Sequence, residues 1–176
     1  MKKAFWICLL GVCLTVVLVS GQKVKLPDLQ GSVFPAEIVE SHLLGDRWPV
    51  DLSLLLDPPR TTIALSGFVV ILEKGYVVAR MASAFCAGPG ADLRIYETGL
   101  EWGGHKDRFS VYVSEDGETW DWVETTPNDA GLSYAAVELG DREGVFRYIK
   151  VLCRSGGENE MMGLVAIEAL HPCGDD

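Results

Sequence analysis

Positive charge and histidine are both in short supply: 15 Lys+Arg stand against 25 Asp+Glu, a formal net charge of -10, and the 176 residues contain three histidines. The shortage of cations argues against a nucleic-acid binder, because affinity for a phosphate backbone needs a basic footprint. With only His42, His105 and His171 available, an acyl-transfer triad would have to use one of them, and none stands in a recognisable context. The chain also lacks a His-Glu-x-x-His pair, a Gly-x-x-x-x-Gly-Lys phosphate loop and a Gly-x-Ser-x-Gly elbow. Gly88-Pro89-Gly90 has no third glycine and no helix after it, so it reads as a turn. No long helical period, internal repeat or low-complexity tract is present. No catalytic residue is assigned, and the chain reads as a non-enzyme. Its 48% hydrophobic and 23% charged residues are those of a folded globule, with length enough for one core.

The N-terminus is where apolar residues concentrate. Lys2-Lys3 precedes an apolar run from Ala4 to Val19, followed by the small residues Ser20-Gly21 and the polar Gln22-Lys23. Charge, apolar core and small-residue end in that order describe a secretory signal peptide, expected to be cleaved after Gly21. An uncleaved anchor is the alternative, although the run is shorter than the roughly 20 residues that a spanning helix needs. Acylation at Cys13 ranks below both, because Val12 precedes it poorly and the apolar core continues beyond. Residues 1–21 contain two lysines and no acid, so their removal moves the formal charge from -10 to -12. The expected product is exported to the periplasm, cell surface or medium, with 22–34 a polar lead-in, 35–173 a single domain and no transmembrane segment.

Cysteine is sparse as well. Of the five, Cys8 and Cys13 leave with the signal, and Cys86, Cys153 and Cys173 remain. None has zinc-ligand spacing. Three single-bridge pairings are open, each leaving one thiol. Cys86 follows one strand candidate and Cys153 closes another, so a Cys86–Cys153 bridge is the first choice in an oxidising compartment, with three reduced cysteines as the alternative.

What the mature chain does have is many short strands. Residues 68–72 and 76–81 are β-branched and aromatic runs joined by Glu73-Lys74-Gly75, which predicts a hairpin. Residues 92–97 alternate, with Leu93 and Ile95 on one face. Residues 109–114 alternate more cleanly, with Phe109, Val111 and Val113 inward and the serines outward. Residues 147–152 and 163–170 complete the set, and turn signals such as 87–90, 115–117 and 156–157 lie between them. The pattern predicts an all-β sandwich or barrel with little helix, at most one short helix near residues 36–44.

One constellation is more specific. Ser114-Glu115-Asp116-Gly117-Glu118-Thr119-Trp120 follows an alternating strand, and Phe146-Arg147-Tyr148-Ile149-Lys150-Val151 forms a later one. This resembles the discoidin-like, galactose-binding-like jelly rolls, with their Ser-x-Asp-Gly-x-x-Trp turn and aromatic/Arg-Tyr-Ile/Val strand. Asp116-Gly117 supplies a tight turn, and Trp120 is expected to cover the end of the core. Leu55-Leu56-Asp57-Pro58-Pro59, the 90–97 segment and Val165-Ala166-Ile167-Glu168-Ala169 are similar to segments of a bacterial secreted, cell-surface branch of that superfamily. The resemblance spans about residues 35–170 and implies a galactose-binding-like jelly-roll β-sandwich. The superfamily includes glycan binders, lipid binders, adhesion modules and accessory domains of enzymes, so the fold leaves the function open.

The site is drawn from departures and from loops. Where the branch usually has Phe-Asp-Leu-Asp-Ala-Val, residues 162–167 read Met-Gly-Leu-Val-Ala-Ile, and both aspartates are gone. Calcium takes about six to eight oxygen ligands, so it is a doubtful ligand and no cofactor is expected. Asp92 and Glu97 keep the family pattern and are weak metal candidates; otherwise Asp92 closes a strand-end turn and Glu97 pairs with a cation such as Arg80 or Arg147. The Gly-rich 99–107 loop carries Trp102, His105 and Asp107, and loops on a rigid sandwich are where ligands are usually held. Trp102, His105, Asp107 and Trp122 form the expected ligand set, with Trp102 as a lid over strand ends and Trp122 as a core residue the alternatives. The reading is a non-catalytic recognition module for carbohydrate or another cell-surface component. A protein-interaction or structural module of the envelope is the alternative, and an enzyme's accessory domain the third.

Overall fold

Among the described residues nine strands follow one another: β1 Pro35–His42, β2 Val69–Leu72, β3 Tyr76–Phe85, β4 Leu93–Glu97, β5 Arg108–Ser114, β6 Asp121–Pro127, β7 Tyr134–Val137, β8 Phe146–Cys153 and β9 Met161–Ala169. The computed structural model describes residues 29–43, 50–59, 68–72, 74–97, 108–127, 134–154 and 161–173. The strands make two antiparallel sheets, ordered β1-β3-β8-β5-β6 and β2-β9-β4-β7. Among the described residues the helical content is one 3-10 turn at Leu52–Leu55, begun by the Asp51 carboxylate accepting from Ser53 N–H at 3.0 Å.

Period-two alternation explains why these strands face each other as they do. Phe109, Val111 and Val113 of β5 pair with Cys153, Val151 and Ile149 of β8, and all six are buried between the sheets. Leu93 and Ile95 of β4 meet them from the other side, flanked by Val137 and Ala135 of β7 and by Ala169 and Ile167 of β9. Large aromatics fill the wider end, where Phe85 and Phe146 lie with ring centroids 5.8 Å apart. The segment ahead of β1 is tied into the same core: Val33 exchanges two backbone bonds with Ala169 at 2.8 and 2.9 Å.

Four local expectations are corrected. Residues 35–42 form an edge strand rather than a short helix: β1 follows β3 from Met81 to Tyr76 with two register shifts, which brings Ile38 against the core. Runs 68–72 and 76–81 are not a hairpin, since β2 pairs with β9 and β3 with β1 and β8. The turn between them is tight, with Gly75 N–H donating to Leu72 O at 2.8 Å, and a Cβ on Gly75 would collide with backbone oxygens of His42 and Leu72. Its free ends bond Cys153, Lys74 N–H to Cys153 O at 3.1 Å and Cys153 N–H to Gly75 O at 2.9 Å, which carries the chain from one sheet to the other.

The third correction concerns the disulfide, which joins Cys86 to Cys173 and not to Cys153. Antiparallel register is the reason. Phe85 pairs with Phe146 at one end of β8, whereas Cys153 closes its other end beside Tyr76 and Gly75. Seven residues of strand place Cys86 and Cys153 about 24 Å apart, while the Cα atoms of Cys86 and Cys173 are 5.7 Å apart. Cys153 is a buried thiol in the core. Fourth, Trp120 does not cap the core: it is half-buried on the opposite face of the five-stranded sheet, near Lys150.

Candidate functional site

Alternation that buries one face of β1, β3, β8, β5 and β6 necessarily presents the other. Register across these strands lines up Glu40, Val78, Lys150, Tyr112 and Trp122 in a single row, one residue from each strand. At about 4.8 Å per strand the row is roughly 19 Å long. A neighbouring row holds His42, Tyr76, Leu152 and Ser110, and another holds Glu37, Arg80, Tyr148 and Ser114. The face is therefore aromatic and cationic in the middle and acidic along β1.

Each polar group on it has a definite place. Tyr76 donates its hydroxyl proton to Glu40, and its ring lies against that of His42 at 5.8 Å. That hydrogen bond, followed by partial burial and the repulsion of a second negative charge by Glu40, raises the Tyr76 pKa above the phenol value. Lys150 lays its ammonium over the Tyr76 ring, 4.0 Å from the centroid, and 5.9 Å from that of Trp120. Arg154 donates from Nη2 to the Tyr112 hydroxyl at 2.9 Å. Arg142 reaches up from the β7–β8 connection and donates from Nη2 to the Trp122 carbonyl at 2.9 Å, holding the edge strand in place. Arg80 is engaged by Glu37 at 2.8 Å, both exposed.

Trp122 ends the row with its side chain in solvent: it is 54% exposed, the largest of the exposed hydrophobics among the described residues. An indole costs free energy to leave in water, and here a one-residue register shift opposite Val111 and Tyr112 turns β6 so that the ring joins the outer face. The result places Trp122 and Tyr112 as cross-strand neighbours on the outer face, a platform beside two cations.

The preceding turn is built to hold β6 at this angle. Ser114 donates to Asp116 Oδ1 at 3.0 Å and accepts from Gly117 N–H at 2.8 Å, while the same carboxylate oxygen accepts from Glu118 and Thr119 N–H, both at 2.8 Å. The bonds from Thr119 and Glu118, with that from Ser114, hold the Asp116 pKa down to about 2. Gly117 takes φ 82° with the Tyr148 ring in contact range of any added Cβ.

Of the residues expected to bind ligand, Trp122 stands on this platform, whereas Trp102, His105 and Asp107 lie outside the described residues. The two weak metal candidates are kept apart. Asp92 precedes β4 and Glu97 ends it, about 17 Å of extended chain, and both are buried. Asp92 is committed to the backbone, accepting from Gly88 N–H at 2.6 Å and Leu139 N–H at 2.5 Å, with His171 Nε2 at 3.7 Å. It thus staples the strand-end turn to two other chain segments, beside the Cys86–Cys173 bridge. Of the two cations expected for Glu97, Arg80 is held by Glu37. Among the described residues no three His, Cys, Asp or Glu side chains are grouped to hold a metal.

A second charged cluster, invisible in the sequence, lies on the outer face of the four-stranded sheet. Fully buried Glu168 accepts from Ser32 Oγ at 2.5 Å and Tyr96 OH at 2.6 Å, and meets Arg94 Nη1 at 3.3 Å. Arg94 in turn lies over the Tyr134 ring at 5.4 Å. Burial, then the bond and the charge of Glu168, raise the Tyr96 pKa strongly. All three donors converge on one carboxylate, which is the arrangement of a structural network.

No known family profile matches the sequence, and neither does any curated protein. Solved structures do. The chain superimposes with a TM-score of 0.52 on CBM32-3 from a family 31 glycoside hydrolase of Clostridium perfringens, covering 82% of this chain and 94% of that one at 12% identity. The fold is the galactose-binding-like jelly roll. A truncated AlyQ with CBM32 and alginate lyase domains gives a TM-score of 0.51 at 12% identity, over 81% of this chain and 34% of that larger one. The jelly roll expected from the 114–120 turn and the 146–151 strand is therefore borne out.

Proposed function

We propose that this jelly roll is an exported, non-catalytic carbohydrate-binding module, and that it holds saccharide on the Trp122–Tyr112 face of the five-stranded sheet. The observation that carries the reading is the solvent-exposed indole of Trp122 in cross-strand register with Tyr112 on the outer face of the sheet. Pyranose rings present one C–H-rich face that stacks on an aromatic ring, and an indole has only two side-chain torsions to lose when it is covered. Sharing its fold with a module named as part of a glycoside hydrolase supports the carbohydrate class and a non-catalytic role. Export is supported by the Cys86–Cys173 disulfide, which persists in an oxidising compartment, and by the Lys2-Lys3, Ala4–Val19, Ser20-Gly21 order.

The test is a glycan array followed by calorimetry on the purified protein and on Trp122→Ala. Saccharide binding that weakens at least about tenfold in the variant, equivalent to about 1.4 kcal/mol, with unchanged circular dichroism, supports the reading. No binding to any saccharide overturns it. Binding left intact in Trp122→Ala moves the site away from this sheet.

A further inference from the structure

On an acidic protein, two cations standing together beside an exposed indole are a feature to be explained. Among the described residues Lys150 and Arg154, like Arg108 and Arg142, are in no ion pair, in contrast to Arg80 with Glu37 and Arg94 with Glu168; what sets Lys150 and Arg154 apart is their place. Both are on the platform, and they bracket Tyr112: Lys150 pairs with it across β8, and Arg154 donates to its hydroxyl. Trp122 is the next residue in that row. Of the nearby acids, Asp116 is turned into its own loop and Asp121 alternates away from Trp122 along β6, while Glu40 stands at the β1 end of the row, four strands from Trp122.

We infer that the face selects an anionic saccharide, a uronate-bearing polysaccharide, with Trp122 stacking the sugar ring and Arg154 and Lys150 receiving its carboxylate. This rests on the carbohydrate reading above and adds the ligand's charge to it. The geometry favours a carboxylate over a sulfate ester. An equatorial carboxylate on a pyranose ring lies near the plane of that ring, so a sugar stacked on Trp122 can extend it sideways to the neighbouring strand position, that of Tyr112. There the Arg154 fork has N–H groups left after its single bond to Tyr112, and planar carboxylates suit such a fork. A sulfate ester stands off the ring on a further oxygen and has no such direction imposed on it. Lys150, held over Tyr76 by its ring contact, supplies a compact charge on the far side without a fixed geometry.

The experiment compares binding of the full chain to polygalacturonate, to the same polymer methyl-esterified, and to a sulfated galactan. The ester keeps the sugar and removes the charge. Expected is at least tenfold tighter binding to the polyuronate than to its ester, a preference that falls in 0.5 M salt and shrinks to about twofold or less in Lys150→Gln/Arg154→Gln. Arg80→Gln, which alters a cation on the same face already held by Glu37, should leave the preference unchanged. Equal binding of acid and ester, a preference that survives the double variant, an equal loss in Arg80→Gln, or binding of the sulfated polymer alone overturns the inference. Neutral saccharide bound through Trp122 with no charge preference overturns this inference and leaves the carbohydrate reading standing, whereas no saccharide binding at all overturns both.

Discussion

Cys173→Ser opens the bridge that closes the sandwich between the start of the β4 turn and the C-terminal segment. The two half-cystines are 87 residues apart in sequence. For a loop of that size the chain-entropy relation gives about 4.6 kcal/mol at 25 °C, and measured values for native bridges fall nearer 2–4 kcal/mol. The lower figure is the better guide here, because Cys86 N–H to His171 O at 3.0 Å, Cys173 N–H to Ala84 O at 3.0 Å and the Asp92 staple all persist without the sulfur bond. At roughly 2–4 °C per kcal/mol for a chain of this length, the melting temperature should fall by roughly 4–16 °C. Urea unfolding with and without reductant is the assay. Cys86→Ser, Cys173→Ser and the double variant should lose the same amount, since breaking one bond twice adds nothing, and all three should become insensitive to reductant. Cys153→Ser should instead keep its reductant sensitivity while losing about 1–3 kcal/mol for a hydroxyl in an apolar site. Cys173→Ser within about 1 kcal/mol of the parent, or Cys153→Ser insensitive to reductant, would refute the pairing and the register argument behind it.

Glu168→Leu should cost about 3–5 kcal/mol by leaving Arg94 and the Tyr96 hydroxyl without their partner; Arg94→Met added to it should recover part of that loss in a urea double-mutant cycle, and strictly additive losses would refute the network. Asp116 has its folded pKa depressed to about 2 from 3.8, so its contribution is fully present above 3.8 and is lost as pH falls toward 2. Asp116→Ala should therefore lower the melting temperature near neutrality and flatten its fall between pH 4 and pH 2, and parallel pH profiles would count against it. At Gly88 an added Cβ would land in the His171 ring, so Gly88→Ala should destabilise by about 1–3 kcal/mol, read from chemical denaturation; a neutral result would show that the ring moves aside freely.

Particular elements show how far the chain could be read in advance. The alternation of Phe109, Val111 and Val113 and the Ser114-x-Asp116-Gly117 turn place β5 and the turn that ends it correctly, because both depend on neighbours in sequence. β7, Tyr134–Val137, is missed: four residues with two alanines show almost no alternation, and only pairing with β4 makes them a strand. The same holds for β1, whose residues have no strong preference of their own. Glu168 is legible as part of a closing strand but not as the centre of a buried network, since Ser32, Arg94 and Tyr96 reach it over separations of 136, 74 and 72 residues. Trp122 is the one expected ligand residue that falls within the described structure. The value of Lys150 and Arg154 beside it emerges only when β8 is laid between β3 and β5.

The residues by themselves determine a chain of short, one-sided strands with turns that admit no helix bundle, an acidic composition and only five cysteines. Those properties follow from side-chain period, turn chemistry and composition, all local. Tertiary structure alone decides which strands are neighbours, and with that everything that depends on register: Cys86 meeting Cys173 rather than Cys153, β2 and β3 parting into different sheets, and Tyr112, Trp122, Lys150 and Arg154 arriving on one face. The physical reason is that a strand's hydrogen-bonding edges are nearly the same in every strand, so pairing is selected by the collective burial of two apolar faces, a quantity that no single segment carries.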